Sequence, residues 1–171
     1  LANEIPSLLE LAEEYGLATG IVTTARITHA TPAGAYSHTP NRNWENSSIV
    51  SAENEALGCK DIALQMIESP HGDGPDVILG GGRTQFMHRD QPDPEYPRQS
   101  GLRDDGRDLI SEWKSAAPGR NYAWNQTMLD EVAAGDGQLL GLFEPSHMQF
   151  EADREGDKGG EPSLAEMTEI A

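Results

Sequence analysis

The sequence has 171 residues, a length sufficient for one domain with its own hydrophobic core. Its 29 acidic and 12 basic side chains give a formal net charge of −17 at pH 7, which disfavours binding to nucleic acid or anionic membranes and suits divalent cations or a halophilic source. No segment approaches the roughly 20 apolar residues of a membrane span, and the lone Cys59 permits neither an internal disulfide nor a cysteine-based zinc site.

The first half of the chain predicts alternating helices and strands. We expect an amphipathic helix over 6–15, a buried strand over 17–24, a helix that begins at Thr31-Pro32 with Thr31 as its N-cap and ends by Pro40, a loop over 41–54, a helix over 55–68 and a buried strand over 76–79. Gly80 to Gly82 are then expected to turn the chain in a crowded place. Neither the P-loop nor the dinucleotide-binding pattern surrounds these glycines.

The second half predicts a similar alternation. We expect an irregular segment over 83–104, a helix over 105–114, a short strand over 122–124, a helix over 126–133, a buried strand over 139–143, an acidic loop over 144–161 and a final helix from Pro162. This alternation predicts an α/β fold with a mostly parallel sheet flanked by helices. Ligand sites in such sheets lie at the carboxyl ends of strands, here after residues 24, 79 and 143.

Three residues with metal-binding or phosphate-binding chemistry follow the first strand. The Thr31 hydroxyl could ligate a hard cation such as Mg²⁺, and His29 could ligate a metal or hydrogen-bond its water. Arg42 could hold a phosphate with its planar fork of donors. Because Pro40 interrupts the helix, spacing alone does not bring Arg42 to Thr31, and the pattern alone favours a helix cap, a surface histidine and a surface arginine.

Carboxylates in predicted loops form a second candidate site. Asp93 and Glu95 lie in a proline-bounded loop, Glu144 ends a strand, and Glu161 precedes a helix. Carboxylate and carbonyl oxygens on such loops suit Ca²⁺. The alternatives are a solvated acidic surface and, for Glu161, an acid stabilised by the positive end of the helix.

The nucleophile patterns of hydrolases are missing from the sequence. Neither G-x-S-x-G nor the H-E-x-x-H zinc motif occurs, and the remaining histidines are separated along the chain: His38, His71, His88 and His147. Two non-hydrolase interpretations therefore stay open. One is a cation-binding protein without catalysis, and the other is a Rossmann-like nucleotide-binding domain that uses the Gly80 to Gly82 turn.

Several blocks of the sequence together resemble the alkaline phosphatase family, closest to its animal-like and marine bacterial branch. They are GLATGIVTTARITHATPAGAYSHTPNRNW, GCKDIALQMI, DVILGGGR, PDPEYP, WNQT, LLGLFEPSHMQFE and PSLAEMTEIA, and they follow the family's order over nearly the whole chain. The resemblance implies a partial three-layer sandwich from a secreted or periplasmic homodimeric enzyme. That enzyme would hydrolyse phosphate monoesters through a phosphoserine, with two Zn²⁺ and one Mg²⁺.

The resemblance also implies roles for individual residues. Thr31 matches a Mg²⁺ ligand, His29 matches the neighbouring position that tunes the metal's water shell, and Arg42 matches the arginine that binds the substrate phosphate. Cys59 matches a disulfide-forming cysteine of some members, without a partner in this chain. A Ca²⁺ site of the animal-like branch is matched by Glu95, the backbone carbonyl of Phe143, Glu144, and Glu161 where an aspartate is usual.

The family's nucleophilic serine and its zinc ligands match nothing in this sequence. We therefore expect residues 1–171 to be an internal portion of a single catalytic domain, with 83–104 and 144–161 as irregular metal-site loops. Such a segment would be inactive alone. The alternative is a catalytically inactive, acidic cation-binding fragment.

Overall fold

Four parallel strands form the centre of the molecule. The computed structural model describes residues 4–132 and 137–171, and its strands are β1 (Gly20–Arg26), β2 (Val77–Gly81), β3 (Asn121–Ala123) and β4 (Leu139–Leu142). They pair in the order β1-β2-β4-β3, and every pair is parallel. The predicted α/β fold with a parallel sheet is therefore confirmed.

Short helices connect these strands. They are α1 (Leu8–Glu14), α2 (Ala30–Ala33), α3 (Ala52–Ala56), α4 (Ile62–Ile67), α5 (Leu109–Ala116), α6 (Gln126–Val132) and α7 (Leu164–Ile170). Single 3₁₀ turns cover Ser47–Ile49, Arg83–Gln85 and Arg154–Gly156. Within the described residues, none of the helices has the length and apolar character needed to cross a bilayer. The predicted end of one helix at residue 133 lies outside the described residues.

Side chains of the sheet alternate between two cores. Ile78 of β2 and Leu140 of β4 belong to one core, which includes residues of α4 and α5. Leu79 and Leu139, their immediate neighbours, belong to the other core, to which α6 and α7 contribute. Because successive strand residues point to opposite faces, the sheet is covered by helices on both sides and forms the middle of three layers.

The predicted helix over 55–68 was wrong, because two helices occupy this region. Helix α3 ends at Ala56, and Gly58 then takes a left-handed conformation with φ of 85°. Asp61 starts α4 anew, since its side chain accepts a hydrogen bond from the Leu64 N–H at 3.0 Å. The free, half-buried Cys59 lies in the turn between them.

Thr31 is not an N-cap, contrary to the prediction. The Ala33 N–H donates to the His29 carbonyl at 2.9 Å, so the first helical turn closes on His29 and Thr31 lies inside α2. His29 is the N-cap residue but makes no side-chain capping bond. The helix also ends at Ala33, well before Pro40.

The glycine triplet is mostly strand, which corrects the predicted turn. Gly80 and Gly81 belong to β2, and only Gly82 is left-handed, with φ of 97°. A Cβ on Gly81 would lie 2.2 Å from the Ser146 carbonyl oxygen. This glycine therefore lets the chain that follows β4 pass directly over the end of β2.

Helix α1 buries two carboxylates more completely than its leucines, of which only Leu9 is half-buried against the core. Leu8 is 87% exposed, whereas Glu10 and Glu13 are almost fully buried. Glu10 Oε1 lies 2.8 Å from His38 Nε2 and 3.7 Å from His71 Nε2. The structure therefore brings together two histidines that are separated in the sequence, and their contacts with Glu10 hold α1 in place together with the packing of Leu9.

Candidate metal and phosphate sites

The carboxyl end of β1 gathers three of the sequence's polar side chains. Arg42 Nη2 lies 3.3 Å from His29 Nε2, and the rings of His29 and His147 meet edge to face with centroids 5.1 Å apart. Thr31 lies on the exposed surface of α2, just past His29. The structure thus brings His29 and Arg42 together across the intervening Pro40, at the sheet edge where ligands bind in parallel α/β folds.

A tight turn presents the Arg42 side chain to solvent. The Asn41 side chain accepts a hydrogen bond from the Asn43 N–H at 3.0 Å, and the Asn41 carbonyl accepts one from the Trp44 N–H at 3.1 Å. Trp44 is buried, and its carbonyl accepts from the Ile62 N–H at 2.7 Å, which ties the turn to α4. Arg42 therefore projects from an anchored loop.

A second arginine lies near this site, and a carboxylate neutralises it. Arg26 donates to Glu45 through Nε at 2.8 Å and Nη2 at 2.7 Å, and its Nη1 lies 2.9 Å from His147 Nε2. Burial alone would raise the pKa of Glu45, but hydrogen bonds from Arg26 and Thr28 outweigh it and lower the pKa. Arg42, by contrast, has no carboxylate at ion-pair distance among the described residues.

The second site is a cluster of carboxylates from two segments of the chain, 83–104 and 144–161. Glu95, Glu144 and Asp157 each offer an oxygen within 4.8 Å of the other two. Glu95 belongs to the long segment after β2, Glu144 follows β4, and Asp157 lies just after the 3₁₀ turn Arg154–Gly156. Among the residues described, this is the one group of three or more acids, histidines or cysteines in such an arrangement.

Asp93 stabilises the loop that carries Glu95, but it is not one of the three clustered carboxylates. It is fully buried, and Arg83 donates to it through Nε and Nη2, both at 2.8 Å. Its Oδ1 also accepts from the Glu95 and Tyr96 N–H groups at 3.0 Å each. With its oxygens taken by these donors, Asp93 is a structural partner of Arg83 and not a free ligand.

Mutual repulsion and burial make this cluster electrostatically costly. Burial, helped by neighbouring carboxylates, raises the pKa of Glu95, of Glu144 and of Glu161 to about 7 each. Asp157 Oδ2 and Glu161 Oε2 are buried without a hydrogen-bond partner among the described residues. Buried acceptor oxygens without donors are rare, and a cation is the partner that would satisfy them.

The structure places the remaining sequence candidates around this cluster. Glu161 is buried, but its Oε1 accepts from the Gln149 N–H at 2.9 Å and it lies outside the three-carboxylate group. Phe143 lies between the end of β4 and Glu144 in the chain, and its side chain packs in the core. Its backbone is therefore adjacent to a residue of the cluster.

Asp157 was missed by the sequence interpretation, which named only Glu144 and Glu161 as candidate ligands in the loop over 144–161. The signal that could have identified it is the glycine pair that follows. The Gly159 N–H donates to Glu95 Oε1 at 2.9 Å, and a Cβ on Gly159 would lie 2.8 Å from Glu95 Cδ. Only a glycine allows the loop that carries Asp157 to approach Glu95 so closely.

Comparison with known proteins places the chain in one family. The family profile described as alkaline phosphatase matches residues 2–171. A membrane-bound alkaline phosphatase of Bombyx mori is 44% identical over 177 residues, which cover 100% of this chain and 32% of that protein. The tissue-nonspecific alkaline phosphatase isozyme of Rattus norvegicus is 42% identical over 179 residues, covering 99% and 33%.

A solved structure agrees with these sequence matches. The crystal structure of Thermus thermophilus alkaline phosphatase superposes with a TM-score of 0.67 and 33% identity, covering 98% of this chain and 28% of that one. The chain spans about a third of the length of the curated relatives it matches. The resemblance inferred from the sequence blocks is confirmed, and this chain belongs to the alkaline phosphatase family.

Proposed function

We propose that this chain supplies the phosphate-binding arginine and the cation-binding loops of an enzyme that hydrolyses phosphate monoesters. The observation that carries the proposal is the position of Arg42, exposed beside His29 at the carboxyl end of β1 and free of any carboxylate among the described residues. The neighbouring Arg26 is already paired with Glu45. Arg42 is therefore the guanidinium available to an anion at this edge.

Arg42 acts on the substrate through charge and geometry. Its planar guanidinium donates two parallel hydrogen bonds to phosphoryl oxygens, which a lysine could not do. Those bonds hold the phosphate in place and stabilise the negative charge that spreads over its oxygens in the transition state. His29, 3.3 Å away, keeps the arginine at this edge.

Thr31 and His29 supply part of a magnesium site. The exposed Thr31 hydroxyl offers a hard oxygen ligand, and the His29 imidazole is placed to hydrogen-bond a water in the ion's shell. These two groups fit Mg²⁺ as partial ligands only, since the ion prefers octahedral coordination. Activation of the nucleophile and of the attacking water is the chemistry that bound Zn²⁺ supplies, and the resemblance assigns its ligands to segments outside this sequence.

The carboxylate cluster fits a calcium ion. We assign Glu95, Glu144, Glu161 and the Phe143 carbonyl to it, and we add Asp157 because its oxygen completes the three-carboxylate group. Oxygen donors from several loops, with buried oxygens left unsatisfied, match the preferences of Ca²⁺. The ion would tie together the loops over 83–104 and 144–161, which contain little regular structure.

A catalytically inactive cation-binding protein is the second candidate, because the carboxylate cluster is assembled within this chain while a nucleophile is not identified in it. The test is hydrolysis of p-nitrophenyl phosphate by the 171-residue chain and by a longer protein that contains it. We expect turnover from the longer protein alone, with zinc, magnesium and calcium in its metal analysis. Absence of turnover there would favour the second candidate, and normal turnover by the 171-residue chain would contradict our division of roles.

We also infer a homodimeric parent enzyme in the periplasm or outside the cell, as the resemblance implies. The acidic charge of −17 supports high solubility in either location. Light scattering on the longer protein tests the first inference, and a monomeric mass would contradict it. Fractionation of the producing cells tests the second.

A further inference from the structure

Glu45 connects the two loops of the phosphate site. It lies three residues after Arg42, and its carboxylate accepts hydrogen bonds from Arg26 and from the Thr28 hydroxyl, the latter at 2.6 Å. Arg26 and Thr28 belong to the segment that leads directly to His29 and α2. One side chain therefore links the loop that carries Arg42 to the turn that carries His29 and Thr31.

This link is buried and well supported. Glu45 is 9% exposed and Thr28 is fully buried, so solvent competes little for their hydrogen bonds. Arg26 binds the carboxylate through two separate nitrogens, a bidentate geometry stronger and more directional than an ordinary surface ion pair. The backbone is held as well, because the Ala63 N–H of α4 donates to the Glu45 carbonyl at 3.3 Å.

Arg26 extends the link to a third loop. Its Nη1 lies 3.3 Å from the Ser146 hydroxyl, and its backbone N–H donates to His147 Nδ1 at 3.1 Å. The guanidinium is therefore held on one side by Glu45 and on the other by the loop after β4. Without Glu45, an uncompensated guanidinium would lie next to the anion site.

We propose that Glu45 is a positioning residue for the phosphate site: it fixes Arg42 relative to the His29–Thr31 turn and neutralises Arg26, so that the anion binds at Arg42. This inference rests on the proposed role of Arg42. Glu45 does not touch the substrate, and its effect reaches the phosphate through the two arginines. Misplacing a phosphate ligand by a small distance is sufficient to weaken binding and catalysis.

The test is a double-mutant cycle on the longer protein, read out as inhibition by inorganic phosphate. We expect Glu45→Gln to weaken phosphate inhibition by about tenfold, within the range for coupled neighbours, and Arg42→Ala to weaken it more. In the Arg42→Ala background, Glu45→Gln should add little. Glu112→Gln is the matched control. Glu112 also accepts hydrogen bonds from two nitrogens of one arginine, Arg107, but it is distant from Arg42 in the sequence.

The outcomes separate this inference from the proposed function. If Arg42→Ala leaves phosphate inhibition unchanged, the proposed function itself fails. If Arg42→Ala weakens inhibition while Glu45→Gln does not, or if Glu45→Gln weakens it equally with and without Arg42, the role of Glu45 is overturned. Should Glu45→Gln not fold, Glu45→Asp gives the same cycle, since it keeps the charge but withdraws the carboxylate by one methylene.

Discussion

Arg83 and Asp93 form a fully buried ion pair, with Nε and Oδ2 2.8 Å apart, beneath the carboxylate cluster. Arg83 also donates to the Leu142 carbonyl at 3.0 Å and lies over the Trp124 ring. Replacing Arg83 with methionine would leave Asp93 charged and unpaired in the interior, so we expect a loss of roughly 3–5 kcal/mol in unfolding free energy. Urea denaturation measures this loss of unfolding free energy. Arg89→Met, at an exposed position, is the control, and an equal small loss in both variants would contradict the pair's importance.

Calcium should stabilise the isolated chain against unfolding. A ligand at one hundred times its dissociation constant adds about 2.7 kcal/mol to the unfolding free energy. We expect CaCl₂ to raise the melting temperature of the unmodified chain, and Glu144→Gln or Asp157→Asn to reduce that rise. Glu155→Gln, an exposed acid in the same loop, is the control. An identical rise in all four proteins would show that calcium acts elsewhere.

Gly81 should tolerate no side chain. Because a Cβ there would lie 2.2 Å from the Ser146 carbonyl oxygen, Gly81→Ala must displace the backbone after β4. We expect a loss of about 1–3 kcal/mol, typical of overpacking. Gly156→Ala is the control, since its Cβ would meet open space. The melting temperatures of both variants measure this loss. Equal melting temperatures would contradict the close contact between Gly81 and the Ser146 carbonyl.

Acid should loosen helix α1. Burial alone would raise the pKa of Glu10, but the Ser7 N–H and the neighbouring His38 and His71 outweigh it and lower the pKa from 4.5. A depressed carboxyl pKa contributes stability that is present above pH 4.5 and is lost as the pH falls through the lowered value. The hydrogen-exchange protection factors of the α1 amides, which correct for the slower intrinsic exchange at low pH, should therefore fall in that acid range. Glu10→Gln should lose this pH dependence, and an unchanged dependence in that variant would contradict the explanation.

The sheet was largely predictable because its central strands are short apolar runs bounded by turn residues. Strand β4 was predicted within one residue of its observed end, and β2 within two. The division of the predicted helix 55–68 into two helices was not predictable from apolar periodicity. The pattern continues through the break, which is made by the positive φ of Gly58 and the N-cap at Asp61. Apolar periodicity also misled for α1, because tertiary hydrogen bonds bury Glu10 instead of Leu8.

The sites were harder to predict than the strands because they join loops distant in sequence. Pattern alone gave no reason to separate Arg42 from a surface arginine, and its proposed role in phosphate binding came from the family resemblance. The pairing of Arg26 with Glu45 depends on how two loops meet, which no local spacing reports. Asp157 was one acid among many in an acidic loop until the close approach of Gly159 to Glu95 distinguished it.

The most direct test of the central claim is phosphate binding by Arg42. In the longer protein, Arg42→Ala should weaken competitive inhibition by inorganic phosphate by roughly 10–150-fold, because a hydrogen bond to a charged group contributes about 1.5–3 kcal/mol. The melting temperature should stay close to that of the unmodified protein, since Arg42 is exposed. Arg89→Ala should leave inhibition unchanged. Equal inhibition of the Arg42→Ala variant and the unmodified enzyme would contradict the assignment of the phosphate site.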